Sequence, residues 1–286
     1  MPGTLFVVAT PIGNLEDLTF RARRVLMEVD LIAAEDTRRT SKLLAHYEIR
    51  KPLISLHEHN EFHESPKLVR RLAAGESIAL VSDAGTPGIA DPGARLVRAA
   101  REANIPIVPI PGASAVAALM SVAGAEHTEF TFFGFPPPKG TARSEWFTRV
   151  AATGHTCVFF EAPHRISQTL QDCKEYLVKK QILVGKELTK LNELLVTKPI
   201  DELIGTINPI GEFVIAAIEP ESTNEKHQLD TVDQRRVLDL FEAIAASPLI
   251  PDDLAVELTA LKMNLSLTDT RKAIKKAKIL VKQQNA

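Results

Sequence analysis

Charged residues directly follow two apolar runs of the sequence, at positions where they could take part in chemistry. Glu35 and Asp36 follow the run Leu31–Ala34, and Lys186 and Glu187 follow a second run. A carboxylate so placed can act as a general base, and an amine can stabilise developing negative charge. The first pair precedes Thr-Arg-Arg-Thr, so a helix N-cap with an ion pair explains it equally well. For the second pair a substrate contact is slightly favoured, because packing explains such strand-end charges poorly.

Three turns rich in glycine and proline have the composition of ligand-binding turns. They read Thr10-Pro-Ile-Gly-Asn14, Asp83-Ala-Gly-Thr-Pro-Gly88 and Pro111-Gly-Ala-Ser-Ala115. Small residues let backbone N–H and C=O groups approach a ligand directly. One such turn is most simply an ordinary strand-to-helix connection, but three at one sheet edge favour a binding site. The sequence has no Gly-x-Gly-x-x-Gly after the first run and no P-loop, which weakens a dinucleotide dehydrogenase or a P-loop enzyme.

A histidine-rich segment, His57-Glu-His-Asn-Glu-Phe-His63, has a spacing that metal sites use. His59 and His63 lie at i and i+4, and His57 could join them. No second ligand cluster and no His-Glu-x-x-His sequence accompanies them. We therefore expect no metal. We interpret His57 and His59 as part of a polar loop facing a substrate, with a solvated strand end as the alternative.

A proline-rich segment leads into a basic loop. It reads Phe135-Pro-Pro-Pro-Lys139-Gly-Thr-Ala-Arg143, and its prolines make the entry stiff. Lys139 and Arg143 are candidates for gripping phosphates of a nucleic acid. The alternative is a plain connector.

Basic residues are concentrated at the C-terminal end. Over all 286 residues, 34 Lys and Arg against 36 Asp and Glu give a net charge of −2, which excludes a basic coat over the whole chain. Residues 262–286 hold seven basic residues and one acid. Four of the basic residues share one helical face, at i, i+4, i+7 and i+11: Arg271, Lys275, Lys278 and Lys282. Such faces are usually just solvated, but this excess favours contact with a nucleic-acid backbone.

Short apolar runs alternate with helical patterns through the first 120 residues, as in α/β proteins. Five runs predict buried parallel strands: Leu5–Ala9, Leu31–Ala34, Leu53–Leu56, Ile78–Ser82 and Ile107–Ile110. Helices are predicted between and after them: Thr19–Val29, Thr40–His46, Ser65–Ala74, Asp91–Asn104 and Ser114–Val122.

A second set of elements predicts a mixed α/β domain. Its strands are Phe130–Phe135, Cys157–Glu161, Ile182–Gly185 and Glu212–Ile218, and its helices are Ser144–Thr153 and Arg165–Val178. The expected organisation is an N-terminal α/β domain (1–124), a second α/β domain (125–220), a polar linker (221–234) and a helix-turn-helix extension (235–286). Only two cysteines and no signal peptide or membrane span are recognisable, so we expect a cytoplasmic protein without membrane partners.

Several motifs together, in order over residues 4–219, resemble the tetrapyrrole-methylase superfamily, and within it the branch that acts on RNA. The motifs are Thr10-Pro-Ile-Gly-Asn, Ala34-Glu-Asp-Thr-Arg, Ser55-Leu-His-Glu-His-Asn-Glu, Val81-Ser-Asp-Ala-Gly-Thr-Pro-Gly, Pro111-Gly-Ala-Ser-Ala, Phe160-Glu-Ala-Pro-His-Arg and Lys186-Glu-Leu-Thr-Lys. The superfamily's usual cradle reads Gly-x-Gly-Asp-Pro. Here Asp-Ala-Gly-Thr-Pro stands in its place, which resembles the RNA branch and argues against a tetrapyrrole substrate.

The resemblance implies two α/β domains with S-adenosylmethionine in the cleft between them, usually in a homodimer. Carried over by position, the cofactor-binding residues are expected to be Pro11, Asp83, Ala84, Gly85, Thr86, Ile89, Ser114, Ala115, Phe160, Ala162, Leu188, Gly211, Glu212 and Phe213. The implied activity is methylation of the ribose 2′-hydroxyl of a cytidine in small-subunit (16S) ribosomal RNA near the decoding centre, presented on the assembled 30S subunit. The alternatives are a methylase of tetrapyrrole precursors and a non-catalytic nucleic-acid-binding regulator that senses S-adenosylmethionine.

Overall fold

The computed structural model describes residues 1–125, 129–220, 231–247, 250–263 and 267–284, with only the backbone described at 231–235, 269 and 280–284. Its contacts divide the chain into two units, Met1–Pro220 and Glu221–Ala286. Unit 1 contains two five-stranded sheets, and unit 2 is helical. Within the described ranges, no helix is both long and apolar enough to cross a membrane.

The first sheet of unit 1 is entirely parallel and has the strand order β3-β2-β4-β1-β5. Its strands are β1 (Leu5–Val8), β2 (Leu31–Ala34), β3 (Leu53–Ser55), β4 (Ile78–Val81) and β5 (Ile107–Ile110). They match the predicted runs closely, because a strand buried on both faces is apolar throughout. The order places β4, β1 and β5 side by side, so the three predicted turns follow adjacent strands.

Helices connect these strands and cover both faces of the sheet. They are α1 (Phe20–Glu28), α2 (Thr37–His46), α3 (Glu61–Ala73), α4 (Ala94–Glu102) and α5 (Ala115–Ser121). Three begin three or four residues away from their predicted start. Helix α2 begins at Thr37 and not at Thr40, because Asp36 caps it. Helix α3 begins at Glu61 although Pro66 lies inside it. Helix α4 begins only at Ala94 and not at Asp91, because Ala90 and Gly93 adopt left-handed backbone angles that a helix cannot include.

The second sheet is mixed, with the order β6-β7-β10-β8-β9. Its strands are β6 (Phe130–Phe132), β7 (Thr156–Glu161), β8 (Gln181–Lys186), β9 (Leu194–Thr197) and β10 (Phe213–Ile218). Only β6 and β7 pair in parallel. The helices of this half are α6 (Thr141–Ala152), α7 (Ile166–Tyr176) and α8 (Ile200–Thr206).

Three features of this half differ from the expectation. Strand β9 and helix α8 were not predicted, since β9 is a short, largely exposed edge strand whose four residues carry no alternating pattern. Strand β6 stops at Phe132, before the predicted end at Phe135, because Gly134 takes a φ of +67° and prolines follow.

The described residues of unit 2 form three helices, α9 (Thr231–Ala245), α10 (Asp252–Met263) and α11 (Leu267–Gln284). Its core joins all three: Val237, Leu238, Phe241, Ala255, Val256, Ala273, Ile274 and Ala277. Helix α9 begins at Thr231, inside the segment 221–234 that was predicted as a linker. The rest of that segment, 221–230, and the turn 264–266 lie outside the described residues.

Candidate active site

The three glycine- and proline-rich turns are tied to one another by hydrogen bonds. Thr10 N donates to Gly85 O (2.8 Å) and Gly85 N donates to Thr10 O (3.0 Å), while Thr86 Oγ1 donates to Ala113 O (3.2 Å). Gly85 has a φ of +80°, which other residues adopt rarely, and a Cβ there would lie 3.4 Å from the Ile12 side chain. The turns after β1, β4 and β5 therefore form one continuous wall.

A cavity of about 390 Å³ lies between this wall and the second sheet of unit 1. This is a volume typical of small-molecule sites. Most of the predicted cofactor-binding residues line it: Asp83, Ala84, Gly85, Thr86, Ile89, Ser114, Ala115, Phe160, Ala162, Leu188, Glu212 and Phe213. Pro11 and Gly211 do not; each precedes a residue that does, Ile12 and Glu212. The structure thus brings the set together, and its ligand role stays a prediction.

Three carboxylates, from the turns that follow β2 and β4, form one side of the cavity. Glu35 Oε2 accepts from Asp83 N (3.2 Å), and Asp83 Oδ2 pairs with Arg39 Nη1 (3.4 Å). Burial raises the pKa of Glu35, helped by the charge of Asp83 and opposed by the hydrogen bond from its backbone. Burial, together with the charges of Glu35 and Asp83, raises the pKa of Asp91 to about 7, although Ser82 donates to its carboxyl. Such raised values mark functional sites more often than ordinary surface acids.

Asp36 serves as a helix cap, the second of the two interpretations of its sequence position. Its side chain accepts from Arg38 N (2.8 Å) at the start of α2 and forms an ion pair with the Arg38 guanidinium (2.7 Å). The hydrogen bonds from Arg38 hold the pKa of Asp36 well below its usual range. Glu35 lines the cavity and Asp36 does not, so the cap explains Asp36 and its catalytic role stays a prediction.

Glu187 holds a loop by hydrogen bonds and is not among the residues that line the cavity, so its catalytic role stays a prediction. Its carboxylate accepts from Glu212 N (2.8 Å) and Lys190 Nζ (2.9 Å). Burial alone would raise the pKa of Glu187, but these hydrogen bonds hold it below the usual value. Gly211 has a φ of +100°, and a Cβ there would approach Glu187 Cγ to 2.5 Å. Lys186 Nζ lies 5.9 Å from the ring centre of Phe213, and Lys186 is not among the lining residues, so its catalytic role also stays a prediction.

The histidine-rich segment forms a short loop, residues 57–60, and the first turn of α3, which includes His63. His57 N donates to Asn60 Oδ1 (2.8 Å), and its ring lies 5.9 Å from that of His59, which is exposed. The buried Nδ1 of His57 has no hydrogen-bond partner among the described residues. Across those same residues, no group of three or more His, Cys, Asp or Glu side chains could hold a metal ion. Neither histidine lines the cavity, and their RNA contact stays a prediction.

Arg143 is buried, which does not favour its predicted phosphate-binding role, and that role stays a prediction. Its Nε donates to Asp172 Oδ2 (2.7 Å), its Nη1 to Pro137 O (2.8 Å) and its Nη2 to Thr169 Oγ1 (2.7 Å). Nη1 also lies 3.7 Å from Glu161, whose side chain is fully buried. The nitrogens of the guanidinium therefore donate their hydrogen bonds to groups inside the protein. Lys139, the other predicted contact of this loop, is exposed.

The predicted basic face of α11 lies on one side of unit 2. Arg271, Lys275 and Lys278 border a groove with an apolar floor, and all three are exposed. Arg271 Nη2 is 3.3 Å from Asp253 Oδ1, and Lys278 Nζ is 5.0 Å from the ring centre of Phe241. The side chain of Lys282 lies outside the described residues. Among the described residues, the charge of Lys275 has fewer close partners than those of Arg271 and Lys278.

Sequence reasoning missed several residues that line the cavity. They are Ile12, Arg39, Asp91, Phe135, Glu161, Pro163 and Val214. Most of them directly precede or follow a predicted residue in the sequence. Their position in the same strand-end turn could therefore have identified them. Arg39 lies one helical turn after the strand-end acids. Asp91 had no such signal, since it was assigned to the start of a helix.

The profile of the family "Tetrapyrrole (Corrin/Porphyrin) Methylases" matches residues 4–204, about the whole of unit 1. Similar proteins include "Ribosomal RNA small subunit methyltransferase I" of Xylella fastidiosa, 51% identical over 224 residues (75% of this chain, 81% of that one). The protein of the same name from Pseudomonas aeruginosa is 41% identical over 270 residues (92% and 95%).

Solved structures with the same fold are more distant in sequence. A uroporphyrin-III-C-methyltransferase from Thermus thermophilus has a TM-score of 0.51 and 20% identity, covering 75% of this chain and 94% of that one. A diphthine synthase has a TM-score of 0.60 and 11% identity, covering 76% and 90%. These two show the fold alone, and they confirm the predicted α/β architecture of unit 1. The profile match and the relatives at 51% and 41% identity show the family: the chain belongs to the tetrapyrrole methylases.

Proposed function

We propose that this chain methylates small-subunit (16S) ribosomal RNA, at the ribose 2′-hydroxyl of a cytidine near the decoding centre. The observation that carries the substrate class is the similarity to the Pseudomonas aeruginosa RNA methyltransferase, which extends over 92% of this chain and so includes helical unit 2. The choice of ribose, of cytidine and of position rests on the resemblance of the motifs to the RNA branch of the family.

Membership of the methylase family makes the chain a methyltransferase that uses S-adenosylmethionine as its methyl donor. The cavity fits this molecule. Its volume of about 390 Å³ is adequate, and apolar side chains such as Phe160, Leu188 and Phe213 offer a surface for the adenine ring. The carboxylates of Asp83 and Glu35 suit a ligand that carries a sulfonium and an ammonium group.

A tetrapyrrole precursor is the less supported substrate. The relatives named as ribosomal RNA methyltransferases share 40–51% identity with this chain, whereas the uroporphyrin enzyme shares 20%. At that distance a shared fold leaves the substrate open, because one fold serves many functions.

The test is transfer of a labelled methyl group. The purified protein and labelled S-adenosylmethionine would be offered unmodified small ribosomal subunits, naked 16S RNA and a tetrapyrrole precursor. We expect label in the RNA of the subunits, retained in a dinucleotide that resists alkaline hydrolysis because its 2′-oxygen is blocked. Label in the tetrapyrrole alone would contradict the proposal. Tight donor binding without label in any acceptor would favour the regulator that only senses the donor.

We further propose that the protein acts in the cytoplasm on the assembled 30S subunit and works as a homodimer. Exposed apolar side chains beside the edge strand β9 support a covering partner: Leu191 is fully exposed and Leu194 and Leu195 are each 41% exposed. Sedimentation of the purified protein would test this, since a monomer at all concentrations would contradict the dimer.

The basic face of α11 is expected to bind RNA through its phosphates. Replacing Arg271, Lys275 and Lys278 together by Gln should reduce the salt dependence of binding to the small subunit by about 2–3 in log–log slope, at 0.7–0.9 per lost phosphate contact. Donor affinity should not change, because the cavity lies wholly within unit 1. Filter binding at several salt concentrations measures the slope, and calorimetry measures the donor affinity.

A matched control replaces three exposed basic residues of unit 1, Arg21, Arg24 and Arg101, by Gln. It should lower the net charge equally and leave most of the slope intact. Equal losses in both variants would mean that general charge, and not this face of α11, attracts the RNA.

A further inference from the structure

We propose that Asp91 is the catalytic base of this methyltransferase, accepting the proton of the attacking ribose hydroxyl on its carboxylate, and that Glu35 tunes it. The proposal rests on the proposed function, because it requires a hydroxyl acceptor. It names a residue that the motifs do not single out. Its basis is the geometry of the turn that follows β4 and the hydrogen bonding of the three carboxylates in the cavity.

The turn after β4 brings Asp91 to the cavity through unusual backbone angles. Gly88, Ala90 and Gly93 have φ values of +79°, +64° and +119°. Ala90 is the notable one, because residues with a Cβ adopt such angles rarely and at a cost. The end of the turn is fixed by Glu61, whose Oε1 accepts from Gly93 N at 3.0 Å. The chain therefore folds back so that Asp91 lines the same cavity as the turn's beginning.

The three carboxylates differ in how many hydrogen bonds and ion pairs they form with other residues of the protein. Asp83 accepts from Asp36 N (2.9 Å) and pairs with Arg39, and Glu35 accepts from Asp83 N. Asp91 forms no ion pair with a described residue, and the Ser82 hydroxyl, which lowers its pKa, lies within reach of two other acceptors, Ala84 O (3.4 Å) and Gly85 O (3.5 Å). A carboxylate has about four acceptor positions. Asp91 therefore retains the most capacity to accept a proton from a substrate.

The charges around Asp91 favour a base that works near neutral pH. Glu35 and Asp83 face it from the ends of β2 and β4, and both charges oppose its ionisation, as burial does. Arg39 forms an ion pair with Asp83, and Glu161, which also lines the cavity, forms ion pairs with Arg143 and Arg165. Glu212 also lines the cavity and pairs with Lys190 at its rim. A proton acceptor is most effective when its pKa lies near the working pH, as that of Asp91 does at about 7.

The proton and the electrons of the step balance without a further reactant. When bound, S-adenosylmethionine supplies a methyl group on a sulfonium, whose carbon–sulfur bond breaks with the electron pair left on sulfur. The hydroxyl oxygen forms the new bond to carbon with the electron pair of its O–H bond, and the proton passes to the carboxylate of Asp91. Glu35 keeps its hydrogen bond from the backbone N–H of Asp83 throughout. Its negative charge raises the pKa of Asp91.

The test compares Asp91→Asn with Glu35→Gln, and with Glu102→Gln at the exposed end of α4 as the matched control. Asp91→Asn should lower kcat on small subunits by about 10²–10⁴-fold, the usual contribution of a general base. Donor affinity, measured by calorimetry, should stay close to that of the wild type. Glu102→Gln should match the wild type in every measurement.

Two readouts separate a base from a merely structural residue. The folded-state pKa of Asp91 lies above its ordinary 3.8, so its charged form costs stability, fully so above about pH 7. At pH 8 the neutral Asn should therefore leave the unfolding temperature equal to or above that of the wild type. The wild-type rate should rise with pH through about 7, and this rise should vanish in Asp91→Asn.

Glu35→Gln removes a neighbouring negative charge, so it should lower the pKa of Asp91 and move the rise in rate to lower pH. A normal kcat for Asp91→Asn, or a pH rise that persists in it but disappears in Glu35→Gln, would overturn the assignment while leaving the proposed function intact. Absence of RNA methylation by the wild-type protein itself would instead contradict the proposed function, and this assignment with it.

Discussion

Arg143→Met is expected to lower the free energy of unfolding by about 3–5 kcal/mol, the usual cost of removing one partner from a buried ion pair. The guanidinium is more than nine-tenths buried and bonds Asp172, Thr169 and the carbonyl of Pro137. Without it, the fully buried carboxylate of Glu161 retains a single arginine, Arg165, at 2.6 Å. Met fills similar space but supplies no charge, so the loss is electrostatic. Chemical denaturation of both proteins measures it.

Arg149→Met is the matched control, because Arg149 is exposed on the same helix α6. Its effect should stay within about 0.5 kcal/mol, as is usual for surface substitutions. The contrary outcome is informative as well. A stable Arg143→Met protein that binds small subunits poorly would support the phosphate-binding role that the sequence suggested for Arg143.

Ala115→Trp is expected to weaken binding of S-adenosylmethionine by about 5–150-fold, which corresponds to the 1–3 kcal/mol typical of overpacking. Ala115 begins α5 and lines the cavity. An indole ring there occupies space that the ligand needs. The fold should be affected little, because the ring enters a cavity and not a packed core. Calorimetric titration with the donor gives the affinity, and thermal unfolding checks the fold.

Ser121→Trp serves as the control for that substitution, since Ser121 lies exposed at the far end of the same helix. It should bind the donor as the wild type does. If Ala115→Trp also bound the donor normally, this cavity would not be where the donor binds, and the assignment of the lining residues would have to be abandoned.

The first sheet was predictable because burial on both faces imposes one composition on each strand. Leu31–Ala34, for example, is fully buried and appears in the sequence as an uninterrupted apolar run. Strand β9 lacks that constraint, because its residues lie at an exposed sheet edge. Edge strands of four residues leave little trace in a sequence.

The site was predictable where it follows strand ends and unpredictable where it depends on turn angles or distant partners. Asp83 directly follows β4, and the rule for parallel sheets locates it. Asp91 reaches the cavity because Ala90 has a left-handed backbone angle, and an alanine in a sequence does not predict such an angle. Arg143 appeared as a loop cation, since its partners Glu161 and Asp172 lie 18 and 29 positions away in the sequence.

The buried arginines also determine how far the proline-rich loop can be altered. Arg143 and Arg165 donate to the carbonyls of Pro137 and Pro136, while both also pair with Glu161, which lines the cavity. The loop that presents Phe135 and Lys139 is thus fastened to the wall of the ligand site. A replacement loop would have to keep backbone carbonyl groups at the positions of Pro136 and Pro137, where Arg165 and Arg143 can donate to them.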